Sequence, residues 1–123
     1  MLSSSQSIGF VATSNADNAR KYYEQTLRLE FIHGDQFALV FKAHETMLRI
    51  QIVKSVEPHR YTAFGWNVVD ISKEVAELES RGVKFERYEG MNQDRDGVWL
   101  SPAGAKVAWF KDPDGNILSL TQF

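Results

Sequence analysis

Val107-Ala-Trp-Phe-Lys-Asp-Pro-Asp-Gly-Asn-Ile-Leu-Ser-Leu-Thr-Gln-Phe123 sets two apolar runs around Asp112-Pro-Asp-Gly-Asn116, and this arrangement predicts a β-hairpin. Pro113 supplies the φ a turn needs at its second position, Asp112 and Asp114 can accept from turn amides, and Gly115 can take positive φ. In the run after the turn, Ser119 and Thr121 fall on one face and Leu118 and Leu120 on the other. That polar pair either meets water or lines a cavity.

Working outward, Glu89 to Ala105 is polar and lacks periodicity, longer than a connection normally needs. It reads either as a flap or as an ordinary surface loop. Val83-Lys-Phe-Glu-Arg-Tyr88 predicts a strand. Before it, Ile71, Val75 and Leu78 form a helical stripe behind the cap Asp70, ending at Arg81-Gly82. Tyr61 to Val68 predicts a strand, and Lys54 to Arg60, interrupted by Pro58, a connector. The first half repeats this order. Ser7 to Thr13 predicts a strand, Ser14-Asn15 a cap, and Ala16, Ala19, Tyr23 and Leu27 an amphipathic helix with Tyr22 and Tyr23 packed by it. Leu29 to Ile32, Phe37 to Phe41 and Met47 to Val53 predict three further strands, joined by turns at 33–36 and 42–46.

Placing Asn15 over Asp70 superposes strand on strand, Ala16 on Ile71 and Tyr23 on Leu78. After a one-residue slip, Leu29-x-Phe31 falls on Val83-x-Phe85. The chain is a duplicated β-α-β-β-β unit within one domain, residues 1–123: module one at about 7–53, a connector at 54–60, module two at about 61–123. Each half alone has too little core, so the expected fold class is α+β, two tandem modules forming a curved mixed sheet around a cleft.

Composition excludes several functions. There is no cysteine, hence no disulfide, thiolate zinc site or thiol nucleophile. No apolar run approaches the roughly 20 residues that span a bilayer, so no membrane partner is expected. The formal charge of −2 comes without a basic cluster among aromatics, which argues against nucleic acid. With no apolar signal core near the start, a cytoplasmic location is expected.

Asn15-Ala-Asp-Asn-Ala-Arg-Lys-Tyr-Tyr-Glu24, Val69-Asp70 with Glu77-Leu78 and Arg81-Gly-Val83, and above all Phe110-Lys-Asp-Pro-Asp-Gly-Asn116 resemble the vicinal oxygen chelate superfamily. Its members include glyoxalase I, extradiol dioxygenases, and fosfomycin- and bleomycin-resistance proteins. The resemblance implies a glyoxalase/bleomycin-resistance-like fold over nearly the whole chain. It does not choose a reaction. Metal-dependent members take ligands from the first and last strands of each half, which carries over to Ile8, Arg49, Ala63 and Ser119. A one-step register change puts Gln51 in place of Arg49. None of these offers an imidazole or a carboxylate, so no metal and no cofactor are expected. His33, His44 and His59 read as surface side chains, with His33 or His59 able to serve as an acid or base at the cleft's border. Asp94 and Asp96 read as solvated loop carboxylates.

If that face persists without metal, strand parity lines it with Phe10, Arg49, Gln51, Ala63, Gly65, Asn67, Trp109, Ser119 and Thr121, and Trp99 joins Trp109 as a surface for stacking. Arg49 asks for an anion, and the tryptophans for a planar ring. The expected partner is an aromatic or anionic small molecule, held without a metal by a bleomycin-resistance-like protein that sequesters a drug or metabolite. A homodimer is implied by the resemblance. The alternatives are a metal-dependent lyase, isomerase or dioxygenase, and metal-independent acid/base catalysis using His33 or Arg49.

Overall fold

Alternation along the strands decides which side chains become core. In the computed structural model, which describes residues 1–123, β1 (Ile8–Thr13) buries Val11 and Thr13 while leaving Ile8 and Phe10 open. After α1 (Ala16–Lys21) come β2 (Glu30–Gly34), β3 (Ala38–Ala43) and β4 (Thr46–Ile52). The second half supplies β5 (Phe64–Asn67), α2 (Ile71–Ser80), β6 (Trp99–Leu100), β7 (Lys106–Lys111) and β8 (Ile117–Gln122). The strands form two four-stranded mixed sheets, ordered β1-β4-β3-β2 (sheet A) and β5-β8-β7-β6 (sheet B). Each sheet begins with a parallel pair and continues antiparallel. The two orders are the same permutation, as a duplicated unit requires.

The superposition of Asn15 on Asp70 holds down to the backbone. Asn15 (φ −143°, ψ 93°) accepts from the Asn18 N–H, and Asp70 (φ −135°, ψ 94°) from the Lys73 N–H. Each side chain thereby satisfies one N–H that the first helical turn leaves without an intrahelical partner. Both helices join one apolar core, in which Ala19, Tyr23, Phe41, Leu48 and Ile50 of the first half meet Ile71, Val75, Phe110 and Leu118 of the second. Where β1 meets β5, a Cβ built on Gly9 would lie 2.5 Å from a ring carbon of Phe64, so the missing side chain makes room for that ring.

Several expectations shift: β5 starts at Phe64 rather than Tyr61, and β2 and β3 run on to Gly34 and Ala43, which shortens the turns expected at 33–36 and 42–46. The helix expected from Ala16 to Leu27 is α-helical only to Lys21 and continues as a wider π turn over Tyr22–Thr26, with the Leu27 N–H bonded to the Tyr22 carbonyl. At this end of the helix the Tyr22 hydroxyl donates to the Lys111 carbonyl and the Tyr23 hydroxyl to the Asp112 carboxylate. Val83 to Tyr88, expected as a strand, pairs only at Phe85 with Phe110. It lies along one stretch of β7, while β6 occupies the next. Glu89 to Ala105 is held by its own side chains: Gln93 bonds the Tyr88 N–H and the Glu86 and Gly97 carbonyls, and Asp94 accepts from the Asp96 and Val98 N–H groups. No helix is long and apolar enough to cross a membrane.

The Asp112-Pro-Asp-Gly-Asn116 turn is tied into the molecule. Asp112 Oδ1 accepts from the Asp114 and Asn116 N–H groups at 2.9 Å, and Oδ2 from the Tyr23 hydroxyl at 2.7 Å and Asn116 Nδ2 at 2.8 Å. Asn116 Nδ2 also donates to the Ala12 carbonyl, and Asp114 accepts from Ser14. Burial and then the nearby Asp112 charge hold both tyrosines above the ordinary value of 10.0. Unfolded phenols ionise near that value while the folded ones resist, so this stability is present below about pH 10 and lost as pH rises further. Tyr22 and Tyr23 are therefore expected to escape spectrophotometric titration until the chain unfolds in alkali. Tyr23→Phe should cost about 1–2 kcal/mol at neutral pH by leaving the buried carboxylate one donor short. Free titration of every tyrosine near pH 10 in a natively folded chain would refute the buried link.

Candidate functional site

The candidate site is the face of each sheet turned away from the helices, because the other face is consumed by the core. Register fixes the rows. On sheet A, Phe10 stands beside Arg49, Arg49 opposite Val40, and Val40 opposite His33. The next rows hold Ala12, Gln51 and Ala38, and Ile8, Met47 and Lys42. On sheet B, Gly65 stands beside Ser119 and Ser119 opposite Trp109. Asn67 stands beside Thr121, with Val107 and Trp99 continuing that row. Ala63 precedes β5, and its N–H donates to the Ile117 carbonyl.

The sequence-derived residues thus fall into two groups, Phe10, Arg49 and Gln51 on one sheet, and Ala63, Gly65, Asn67, Trp99, Trp109, Ser119 and Thr121 on the other. Within the second group the fit is close. A Cβ on Gly65 would lie 2.6 Å from Ser119 Oγ, and Trp109 lies 6.0 Å from Trp99 and edge-on to Tyr88 at 5.5 Å. Burial, then the nearby Glu86 charge, raises the Tyr88 phenol above its ordinary value.

The largest hollow, about 720 Å³, lies on the open face of sheet A. Ile32, Val40 and Met47 supply its apolar lining, and His33, Lys42 and Glu45 its charged or titratable groups. Apart from His33, sequence reasoning missed these residues. The signal for two of them was available: Val40 and Lys42 follow from carrying the parity of Arg49 across the turn at His44 and Glu45 onto β3.

Arg49 is half-buried beside this hollow. The chain's only ion pairs are Arg20 with Glu24 and Lys111 with Glu86, which leaves the Arg49 guanidinium without a protein partner. The acid that feels its charge is the exposed Asp35. The N–H groups of Phe37 and Ala38 hold that carboxyl below its ordinary value, with smaller help from Arg49 and His33.

The four positions from which the resemblance would draw metal ligands present a hydrocarbon at Ile8, a cation at Arg49, a methyl at Ala63 and a buried hydroxyl at Ser119. No three His, Asp or Glu side chains gather elsewhere. This donor set does not fit a divalent ion, which needs lone pairs and negative charge.

No protein-family profile matches the chain, and no curated protein matches it in sequence. Solved structures do match in shape. A member of the glyoxalase/bleomycin resistance protein/dioxygenase superfamily from Sphaerobacter thermophilus is similar over 100% of both chains, with a TM-score of 0.77 at 21% identity. A bleomycin resistance determinant encoded on transposon Tn5 is similar over 97% of this chain and 98% of its own, with a TM-score of 0.76 at 18% identity. Lactoylglutathione lyase from Agrobacterium tumefaciens is similar over 97% of this chain and 93% of its own, with a TM-score of 0.75 at 15% identity. The chain has the fold that these proteins share.

Because the open faces lack a set of donors, protein purified without chelator should carry divalent metal far below one ion per chain, and added Mn²⁺, Ni²⁺ or Zn²⁺ should leave the melting temperature unchanged. One tightly held ion per chain that raises the melting temperature would overturn this reading of the faces.

Proposed function

We propose that the chain binds a small organic molecule, aromatic or anionic, on its open sheet faces without a metal, and that it acts by sequestering a drug or metabolite. The observation that carries this is Arg49, a half-buried residue whose guanidinium has no protein partner, opposite Val40 in the lining of a hollow of about 720 Å³. A charge in that position gains most from a carboxylate, phosphonate or similar group that also brings acceptors to its fixed fork of donors. The volume lies in the range of small-molecule sites, roughly 300–1,000 Å³. Proteins of this shape include an antibiotic binding protein from Streptomyces as well as a lactoylglutathione lyase, so the shape admits binding and the side chains carry the choice.

Pairing of two copies fits the same face. Phe10 is 51% exposed, Ile8 47% and Met47 39%, and apolar groups side by side on an open sheet favour a covering partner. His33, at the wall of the large hollow, supports a second reading in which it acts as an acid or base on the bound molecule.

A thermal-shift screen over antibiotics, aromatic acids and glutathione conjugates tests the first reading. Anionic hits should raise the melting temperature, and Arg49→Ala should weaken them by about 1.5–3 kcal/mol. Equal affinity in the variant would remove Arg49 from the site. Turnover of a hit, abolished in His33→Ala, would move the protein from capture to catalysis.

A further inference from the structure

The connector between the halves is seated on the hairpin turn. A Cβ built on Gly115, whose φ is +87°, would lie 3.1 Å from Pro58 Cγ. The proline ring therefore covers the one turn residue without a side chain, and a larger residue there would displace it. That contact sets the next residues down beside sheet B. Arg60, Tyr61, Tyr88, Met91, Trp109 and Ile117 line a hollow of about 210 Å³ there.

Its walls come from separate parts of the chain. Trp109, on β7, is braced edge-on by Tyr88 at 5.5 Å and by Trp99 at 6.0 Å, so its ring is held in place. Between the connector and β5, Tyr61 stacks on His59 with ring centres 4.9 Å apart and planes 9° apart, yet it remains 65% exposed. An aromatic ring held mostly in water gains by covering a partner ring. Arg60 is the only charged side chain in the lining. The nearby Glu86 is already paired with Lys111 at 3.4 Å, so the notch offers one free cation and no competing acid.

We propose that this notch is a binding site for planar aromatic carboxylates of one or two rings, the ring lying among Tyr61, Tyr88 and Trp109 and the carboxylate meeting Arg60. The hollow is smaller than the roughly 300 Å³ at which drug-sized sites begin, which sets the limit on ring count. A cationic or neutral ring would forgo the Arg60 contact. The notch shares Trp109 with the functional reading above and rests on it only through that residue.

The test is titration of the full chain with 1-naphthoate, 1-naphthamide and 1-naphthylmethylamine, followed by the indole N–H resonances of the three tryptophans, with Trp109→Phe identifying the Trp109 signal. The acid should shift Trp109 saturably at millimolar concentration and bind tighter than the amide, with the amine weakest. Arg60→Gln should lower the acid's affinity by about fivefold, the upper end for an exposed ion pair, and erase its advantage over the amide. Tyr61→Ala, at an exposed position that spares the core, should weaken both acid and amide.

Arg49→Ala, run in parallel, separates the two proposals. Acid binding that survives Arg49→Ala and falls in Arg60→Gln upholds the notch whatever becomes of Arg49. Binding that survives Arg60→Gln and falls in Arg49→Ala overturns the notch and leaves the Arg49 reading standing. A Trp109 signal unmoved by any of the three ligands overturns the notch outright.

Discussion

A carboxylate withdrawn from water needs its lone pairs engaged, and the arrangement of this chain follows from how Asp112 meets that demand. Two donors come from its own turn, the N–H groups of Asp114 and Asn116. A third is the Asn116 side chain, which also reaches the Ala12 carbonyl, and the fourth is the Tyr23 hydroxyl. Ala12 and Tyr23 belong to the first half, about a hundred residues earlier. The bonds that satisfy one buried group therefore also fix where the hairpin of one half sits against the first strand and helix of the other. Burial still raises the Asp112 carboxyl above its ordinary value, against the lowering effect of its donors. The free energy of this group is thus a balance between desolvation and four hydrogen bonds, and removing any donor tips it toward desolvation.

The first helix contributes to the same junction. Tyr22 and Tyr23, where α1 passes into the π turn, send their hydroxyls to consecutive residues, Lys111 and Asp112. Gly115 serves the junction from outside, with a positive φ that closes the turn and a bare Cα that receives Pro58. Through that proline, the connector and its aromatic residues are placed by the turn.

Much of the fold was legible because duplication and capping are written in residue order. The spacing of Asn15 and Asp70 from the apolar stripes behind them located both helix starts, and the Asp-Pro-Asp-Gly-Asn string located the hairpin. What the sequence did not disclose depends on side chains bonding to main chain. Val83 and Phe85 alternate like strand residues and are buried, yet only Phe85 pairs, because β6 takes the rest of that edge of β7. Gln93 and Asp94 look like ordinary loop residues, although their bonds give the stretch between those segments its shape. At the candidate site, parity correctly set Arg49 on the face opposite Leu48 and Ile50. The β3 part of the hollow beside it follows from the same parity, but its β2 wall does not, because the β2–β3 register shifts at a bulge between Phe31 and His33 that no periodicity predicts.

Alternation along the strands also separates what holds the fold from what the open faces present. In β4, Leu48 and Ile50 are fully buried, while Met47, Arg49 and Gln51 point the other way. In β8, Leu118 and Leu120 belong to the core and Ser119 and Thr121 do not. A substitution at an exposed position of the open face, such as Met47 or Gln51, therefore leaves core volume and the Asp112 junction untouched, whereas Ala38 and Val40 on the same face are buried. Gly65 and Ser119 mark where that freedom ends, since their closeness across neighbouring strands admits no added carbon. At Ile8, Met47 and Gln51 the open face carries exposed or half-exposed side chains that the core does not constrain. This is why the fold by itself selects no reaction, and why the chemistry of this chain must be read from the side chains its open faces carry.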